Sequence, residues 1–215
     1  AGCKRCGIDT LEVAPGDKDT PLATRVKISN DKKADLYISF HANALYGDKW
    51  QEKAYGLVVI KHNVCSSTTD KLAQNVYEYL KDGVDWYKDG GTKYKVRKDV
   101  DISGYSLYVL KNTKAPAILV EYGFMDNWED VKMMCTDKFS TDCAEMTLKG
   151  VCKTLGVTYK APTTKVEQKP AEQPKPAQKG VYRVVVGSYA NKENAVKVQK
   201  DLEKKGFNSF LMYSE

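Results

Sequence analysis

Two short apolar runs, each closed by a polar side chain, constrain this chain more than any other feature. The first, Leu36-Tyr37-Ile38-Ser39-Phe40, lies between Lys32-Lys33 and Asn43 and delivers His41 at its carboxyl end. The second, Ala117-Ile118-Leu119-Val120, delivers Glu121. Runs of this length, rich in branched and aromatic residues, read as buried strands. Open α/β sheets gather their ligands at the carboxyl ends of strands. Read alone, His41 is more often a hydrogen-bonded structural residue than a ligand. Glu121 is harder to dismiss, because a carboxylate after four apolar residues is costly unless it is paired or used. Brought to one sheet edge, the His and the Glu predict metal-assisted hydrolysis. Gly123 and Asn127, just beyond, have the chemistry of a turn and a helix start.

The rest of the chain alternates strand and helix, which argues for an α/β sheet. Residues 22–33 read as a helix with Leu22, Val26 and Ser29 inward, and residues 56–61 as a second strand followed by His62. Residues 67–80 read as a helix, with Ser67 and Asp70 as a capping start and Leu72, Val76 and Leu80 on one face. Residues 83–101 form a charged loop carrying Trp86, Tyr87 and Tyr94, aromatics that suit either a sugar or peptide groove or half-buried packing. Residues 107–110 and 117–120 read as two more strands, and residues 127–134 and 141–155 as closing helices. Residues 1–21 hold a possible strand at 7–13 and turn chemistry around Pro15 and Pro21.

Beyond this the composition changes. Pro162, Pro170, Pro174 and Pro176 stand among Lys, Gln, Glu and Ala, giving a semi-extended linker over residues 159–179 that spans up to roughly 60 Å at about 3.1 Å per residue. Residues 181–188 then read as a strand, 191–205 as a helix with Ala195, Val198 and Leu202 on one face, and 207–213 as a strand.

Net charge is +6, which suits a polyanionic partner such as a bacterial wall and equally nucleic acid. No nucleic-acid motif is present, and lysine is dispersed rather than clustered. No apolar run is long enough to span a membrane, and residues 1–6 are no signal peptide, since no apolar segment follows. Of the six cysteines, Cys3 and Cys6 have C-x-x-C spacing, but no second such pair exists to complete a four-cysteine zinc site. Free or buried thiols of a cytoplasmically made protein are expected, with disulfides left open by the even count. Motifs such as H-E-x-x-H, which would indicate a zinc peptidase of another class, are absent.

Ser39-Phe40-His41-Ala42-Asn43-Ala44 and Glu121-Tyr122-Gly123-Phe124-Met125-Asp126-Asn127 resemble two motifs of the zinc-dependent N-acetylmuramoyl-L-alanine amidases of amidase family 3. Thr24-Arg25, Ala34-Asp35 and residues 107–113 fall in that family's order, and the likeness runs from about residue 11 to 155. The resemblance implies a mixed sheet flanked by helices over residues 1–158. It implies Zn2+ as cofactor, peptidoglycan as substrate and the bacterial wall as the place of action. By motif position His41 becomes a zinc ligand and Glu121 the catalytic carboxylate; His62 follows a strand that carries no ligand in the family. The family's first histidine and its glutamate ligand belong upstream, in a Gly-His-Gly strand end and the next helix. This sequence shows neither, so an amino-terminally incomplete domain is expected. Without those ligands, a non-catalytic peptidoglycan-binding protein is the alternative. Residues 180–215, with Tyr182-x-Val184-x-Val186-Gly187-Ser188-Tyr189 and Gly206 after a helix, resemble part of a SPOR domain. That resemblance implies a small α+β wall-binding module.

Overall fold

The structure, a computed structural model, describes residues 1–16, 19–46, 49–86, 95–162 and 192–204. It falls into two compact units, Ala1–Thr163 and Thr164–Glu215. In chain order the first contains α1 (Gly2–Arg5), α2 (Leu22–Asp31), β1 (Tyr37–Asn43), β2 (Leu57–Lys61), α3 (Ser67–Gly83), β3 (Lys95–Lys98) and α4 (Asp99–Ser103). It continues with α5 (Tyr108–Asn112), β4 (Ala117–Phe124), α6 (Trp128–Met134) and α7 (Asp137–Leu155). The second unit contributes α8 (Lys192–Lys204), on which Ala195, Val198 and Leu202 are half-buried. The strands expected at 181–188 and 207–213, and most of the linker, lie outside the described residues.

The four strands form one mixed sheet in the order β1-β4-β2-β3. β1 runs parallel to β4, β2 antiparallel to β4, and β3 parallel to β2. Side chains alternate across the pleat. Leu57 and Val59 of β2 with Ile118 and Val120 of β4 therefore face one way, against Leu72, Val76 and Leu80 of α3 and Phe139 and Val151 of α7. Val58, Ile60 and Ala117 face the other way, with Tyr37 of β1, Ala54 and Leu110 of α5. Sheet strands buried on both faces explain why β2 and β4 read as unbroken apolar runs.

α3 and α7 approach closely because Gly150 lets them. A Cβ placed there would lie 2.6 Å from the Cα of Val76, well inside van der Waals contact. The cap of α3 lies one residue earlier than expected: Ser66, not Ser67, accepts the Thr69 N–H at 3.2 Å. α7 begins at Asp137, four residues earlier than its apolar spacing indicates, with Thr136 capping Phe139.

Four expectations are corrected. Residues 107–110 are not a strand: Leu107 caps α5, and Leu107 and Leu110, one helical turn apart, reach the same core. Four apolar residues cannot distinguish the two periods. The charged stretch before residue 101 contains β3, whose Lys, Val, Arg and Lys give no hydrophobic signal; only Val96 packs inward. Such a strand is formed by pairing along β2, and its charges suit a sheet edge. Leu22 is exposed, while Val26 and Ser29 of the same helix are buried. Residues 7–13 form no strand. All six cysteines are free thiols, with Cys6 and Cys152 packed together where α1 meets α7. Among the described residues no helix is long and apolar enough to cross a membrane.

Candidate active site at the carboxyl edge of strands β1 and β4

The register of the sheet brings the two sequence candidates together. His41 and Glu121 are direct partners across the parallel β1–β4 pair, and Val58 stands opposite Glu121 on the other side. Adjacent strands lie about 4.8 Å apart and direct partners share a face. By the pleat, His41 and Glu121 point to the face of Tyr37, Val58 and Leu119, away from α3 and α7. Just beyond them the register slips between His41 and Asn43, so that Asn43 meets Phe124. Gly123 makes this possible with a φ of 116°, and a Cβ there would lie 2.9 Å from the Met134 sulfur.

The two side chains have unlike environments. Glu121 is buried, 9% exposed, and its Oε2 has no hydrogen-bond partner among the described residues. Burial pushes its pKa up to about 7. His41 remains accessible to solvent, but its packing against the sheet lowers its pKa, and the Arg25 guanidinium adds a smaller push the same way. Arg25 is itself held by Asp19 at 2.8 Å and the Thr20 carbonyl at 2.7 Å. Near neutral pH the site therefore presents an uncharged imidazole with a free lone pair beside a carboxyl group that gains and loses a proton.

Further polar groups hold the edge together. Asn43 accepts the Met125 N–H at its carbonyl, 2.7 Å away, tying β1 to the turn after β4. The Asp126 carboxylate accepts the N–H groups of Leu45 and Tyr46 at 2.7 and 2.8 Å and the Gln51 amide at 3.1 Å. Asn127 caps α6 by accepting from Glu129 and Asp130, and its amide donates to the Ala54 carbonyl at 3.0 Å. Asp130, fully buried, accepts Gly56 N–H at 2.7 Å and Phe124 N–H at 2.8 Å. Asn43, close enough to His41 to fix the local turn, and Asn127, as a helix start, carry signals in the sequence. A capped helix beginning three residues after β4, followed by a buried Asp, was the available clue to the others.

His62 is placed elsewhere. β2 is antiparallel to β4, so Lys61 pairs with Ile118 and His62 leaves the opposite edge of the sheet. Its Nδ1 lies 2.8 Å from Asp99, a fully buried carboxylate that also accepts N–H groups from Asn63, Val100 and Leu107. Burial raises the Asp99 pKa, but His62 and those three donors outweigh it and hold the group below its ordinary value. His62 is thus a structural clasp over α4. Trp86 likewise packs edge-on against Phe139 and donates to the Leu80 carbonyl, the half-buried packing that was the other expectation for it. Tyr87 and Tyr94 lie outside the described residues.

Comparison with known proteins bears on the family and the fold. The family model described as N-acetylmuramoyl-L-alanine amidase (Amidase_3) matches residues 4–153, and a SPOR domain model matches residues 160–213. The endolysin of Bacillus phage SPP1 is 33% identical over 155 residues, covering 70% of this chain and 52% of that protein. The germination-specific N-acetylmuramoyl-L-alanine amidase of Bacillus subtilis is 28% identical over 139 residues, covering 63% and 51%. This chain thus spans about half the length of these relatives. Among solved structures, the N-acetylmuramoyl-L-alanine amidase AmiC2 of Nostoc punctiforme superposes with a TM-score of 0.59 at 25% identity, covering 72% of this chain and 76% of that one. With its mixed sheet, flanking helices and matched residues 4–153, the chain belongs to the Amidase_3 family of N-acetylmuramoyl-L-alanine amidases.

Proposed function

We propose that this chain is a peptidoglycan hydrolase. It cleaves the amide bond between the lactyl group of N-acetylmuramic acid and L-alanine of the stem peptide, acting at the bacterial wall in lysis or remodelling. Family membership supports the reaction class. The observation that carries the reading is Glu121: a buried carboxyl with an unpartnered oxygen, a pKa of about 7, and an imidazole as its direct cross-strand neighbour.

Hydrolysis asks one group to take a proton from the attacking water and return it to the departing amine. A pKa near the working pH populates both forms of that group. In the proposed cycle ionised Glu121 accepts the water proton as the new carbon–oxygen bond forms. Protonated Glu121 then delivers it to the alanine nitrogen as the carbon–nitrogen bond breaks, which restores the carboxylate. Val58 and the apolar face around it keep bulk water from solvating that charge.

Zinc, which the family resemblance implies, would lower the pKa of a water bound to it to about 7 and would polarise the scissile carbonyl. His41, neutral and solvent-accessible, is the proposed donor. A catalytic zinc takes three protein ligands, and among the described residues no group of three or more His, Cys, Asp or Glu side chains stands together as a metal site. The described residues alone do not complete the site. Residues 180–215 are proposed as a peptidoglycan-binding module joined through the proline-rich segment 159–179, on the strength of the SPOR match.

The test is release of free L-alanine amino termini from a soluble muropeptide in the presence of zinc, read by mass spectrometry. Glu121→Gln is expected to lower kcat/KM by about 100-fold or more. Undiminished turnover in that variant overturns the assignment of Glu121. Wall binding by the parent chain with no cleavage at all points instead to a non-catalytic binding protein.

A further inference from the structure

Two indoles stand on the same edge as Glu121 and have no role in the chemistry above. Trp50 is 61% exposed and Trp128 55% exposed, and their rings meet edge to face at 5.2 Å and 88°. A monomeric surface rarely leaves two large apolar rings together in water. These rings are not loosely placed. Trp50 precedes Gln51, whose backbone N–H donates to the Asp126 carbonyl at 2.9 Å and whose amide donates to Ala54 and Asp126. Trp128 follows Asn127, whose amide reaches back to the Gln51 and Ala54 carbonyls. Buried hydrogen bonds thus set both backbones, and leave the rings outside.

The rim of the pair favours one kind of ligand. Lys132 Nζ lies 5.7 Å from the Trp128 ring centroid and is paired with Glu129 at 2.8 Å. The Lys132 charge is thus compensated on the Trp128 side of the shelf. A flat indole with polar groups at its margin matches a neutral pyranose ring. One face of such a ring is a sheet of C–H groups that packs on aromatic carbon, while its equatorial hydroxyl and acetamido groups reach the margin.

We propose that Trp50 and Trp128 form a stacking shelf for the N-acetylhexosamine rings of a glycan strand, seating the polymer next to the scissile amide. This rests on the amidase reading, because the uncut glycan must leave the reaction site along the protein surface. The shelf is continuous with that site through the Asn43–Met125 bond and the Asp126–Asn127 turn. Trp50 and Trp128 are positioning residues and take no part in bond making.

The full chain contains three tryptophans, Trp50, Trp86 and Trp128, and residues 160–215 contain none. Their indole N–H signals in a nitrogen-15 NMR spectrum therefore report on the first unit alone, with Trp86, bonded to Leu80, as internal reference. Titration with chitotetraose, a glycan with neither lactyl group nor peptide, is expected to move the Trp50 and Trp128 signals and leave Trp86 in place. Trp50→Ala or Trp128→Ala weakens that binding about tenfold and raises KM on glycan-linked substrate more than it lowers kcat. Trp50→Tyr, which keeps a ring, retains most of the binding and guards against misfolding of the alanine variant. Signals unmoved by chitotetraose overturn the shelf, as does movement with a free stem peptide in its place. So does a dimer in sedimentation that Trp50→Ala dissociates, which makes the indoles a self-association face. Cleavage without chitotetraose binding refutes the shelf alone. Binding without cleavage refutes the amidase reading alone.

Discussion

Replacing Glu121 by glutamine tests the central feature of the site without requiring turnover. Burial lifts the folded-state pKa of Glu121 to about 7 from an ordinary value of 4.5. Between those pH values the native state holds a proton that the unfolded chain has released, so the native state binds more protons and stability falls as pH rises. Below 4.5 both states are protonated and the group contributes no slope. Above 7 the full penalty is present, about 3 kcal/mol for a gap of this size. Glutamine has nearly the same shape and no charge. Glu121→Gln is therefore expected to match the parent at pH 4 and to exceed it by about 3 kcal/mol at pH 8. Urea unfolding followed by circular dichroism, at pH 4, 6 and 8 with a chelator present, reads the difference directly. The comparison between two proteins cancels every other titrating group. Parallel pH profiles, or a variant less stable than the parent at pH 8, would refute the reasoning, because either means that the carboxylate is solvated or paired.

Two further outcomes follow from the packing and the domain organisation. Gly150→Ala forces a methyl group to within 2.6 Å of the Val76 backbone and should cost about 3 kcal/mol as α3 and α7 separate, seen as a lowered Tm; an unchanged Tm would show that the helices have room to spare. Deleting residues 180–215 should weaken pull-down on purified walls far more than hydrolysis of a soluble muropeptide, and equal loss of both would argue against a targeting module.

The sequence reading succeeded where burial leaves a one-dimensional trace. β2 and β4 are enclosed on both faces, so they read as continuous apolar runs, and α3 shows Leu72, Val76 and Leu80 at helical spacing because one face meets the sheet. It failed where pairing, not hydrophobicity, makes the element. β3 is a run of Lys, Val, Arg and Lys that is a strand only because β2 lies beside it. Residues 107–110 fit a strand as well as a helix, because an apolar run of four residues suits either period. The pairing of His41 with Glu121 joins residues eighty apart in sequence, and nothing local encodes a parallel register. The motif resemblance linked the two residues by order, and the register supplies the shared face.

What neither pattern nor resemblance supplied is the contrast among the carboxylates at this edge. Three are buried in or just beyond β4: Glu121, Asp126 and Asp130. Burying a carboxylate is tolerable when hydrogen bonds replace its water. Asp126 and Asp130 meet that condition by accepting backbone N–H groups, two apiece, and so hold the loops from Leu45 to Gly56 against the end of β4. Both N–H bonds to Asp130 fall on its Oδ2, whereas at Glu121 no such donor enters and burial alone sets the raised pKa. The fold supplies pairs of backbone N–H donors to two carboxylates within nine residues of Glu121, and at Glu121, beside an accessible imidazole, it supplies none among the described residues. A structural role would select the paired arrangement and a lower pKa. An open oxygen on a group poised near neutrality, framed by two carboxylates that fix the surrounding backbone, is what proton transfer to and from a bound substrate requires.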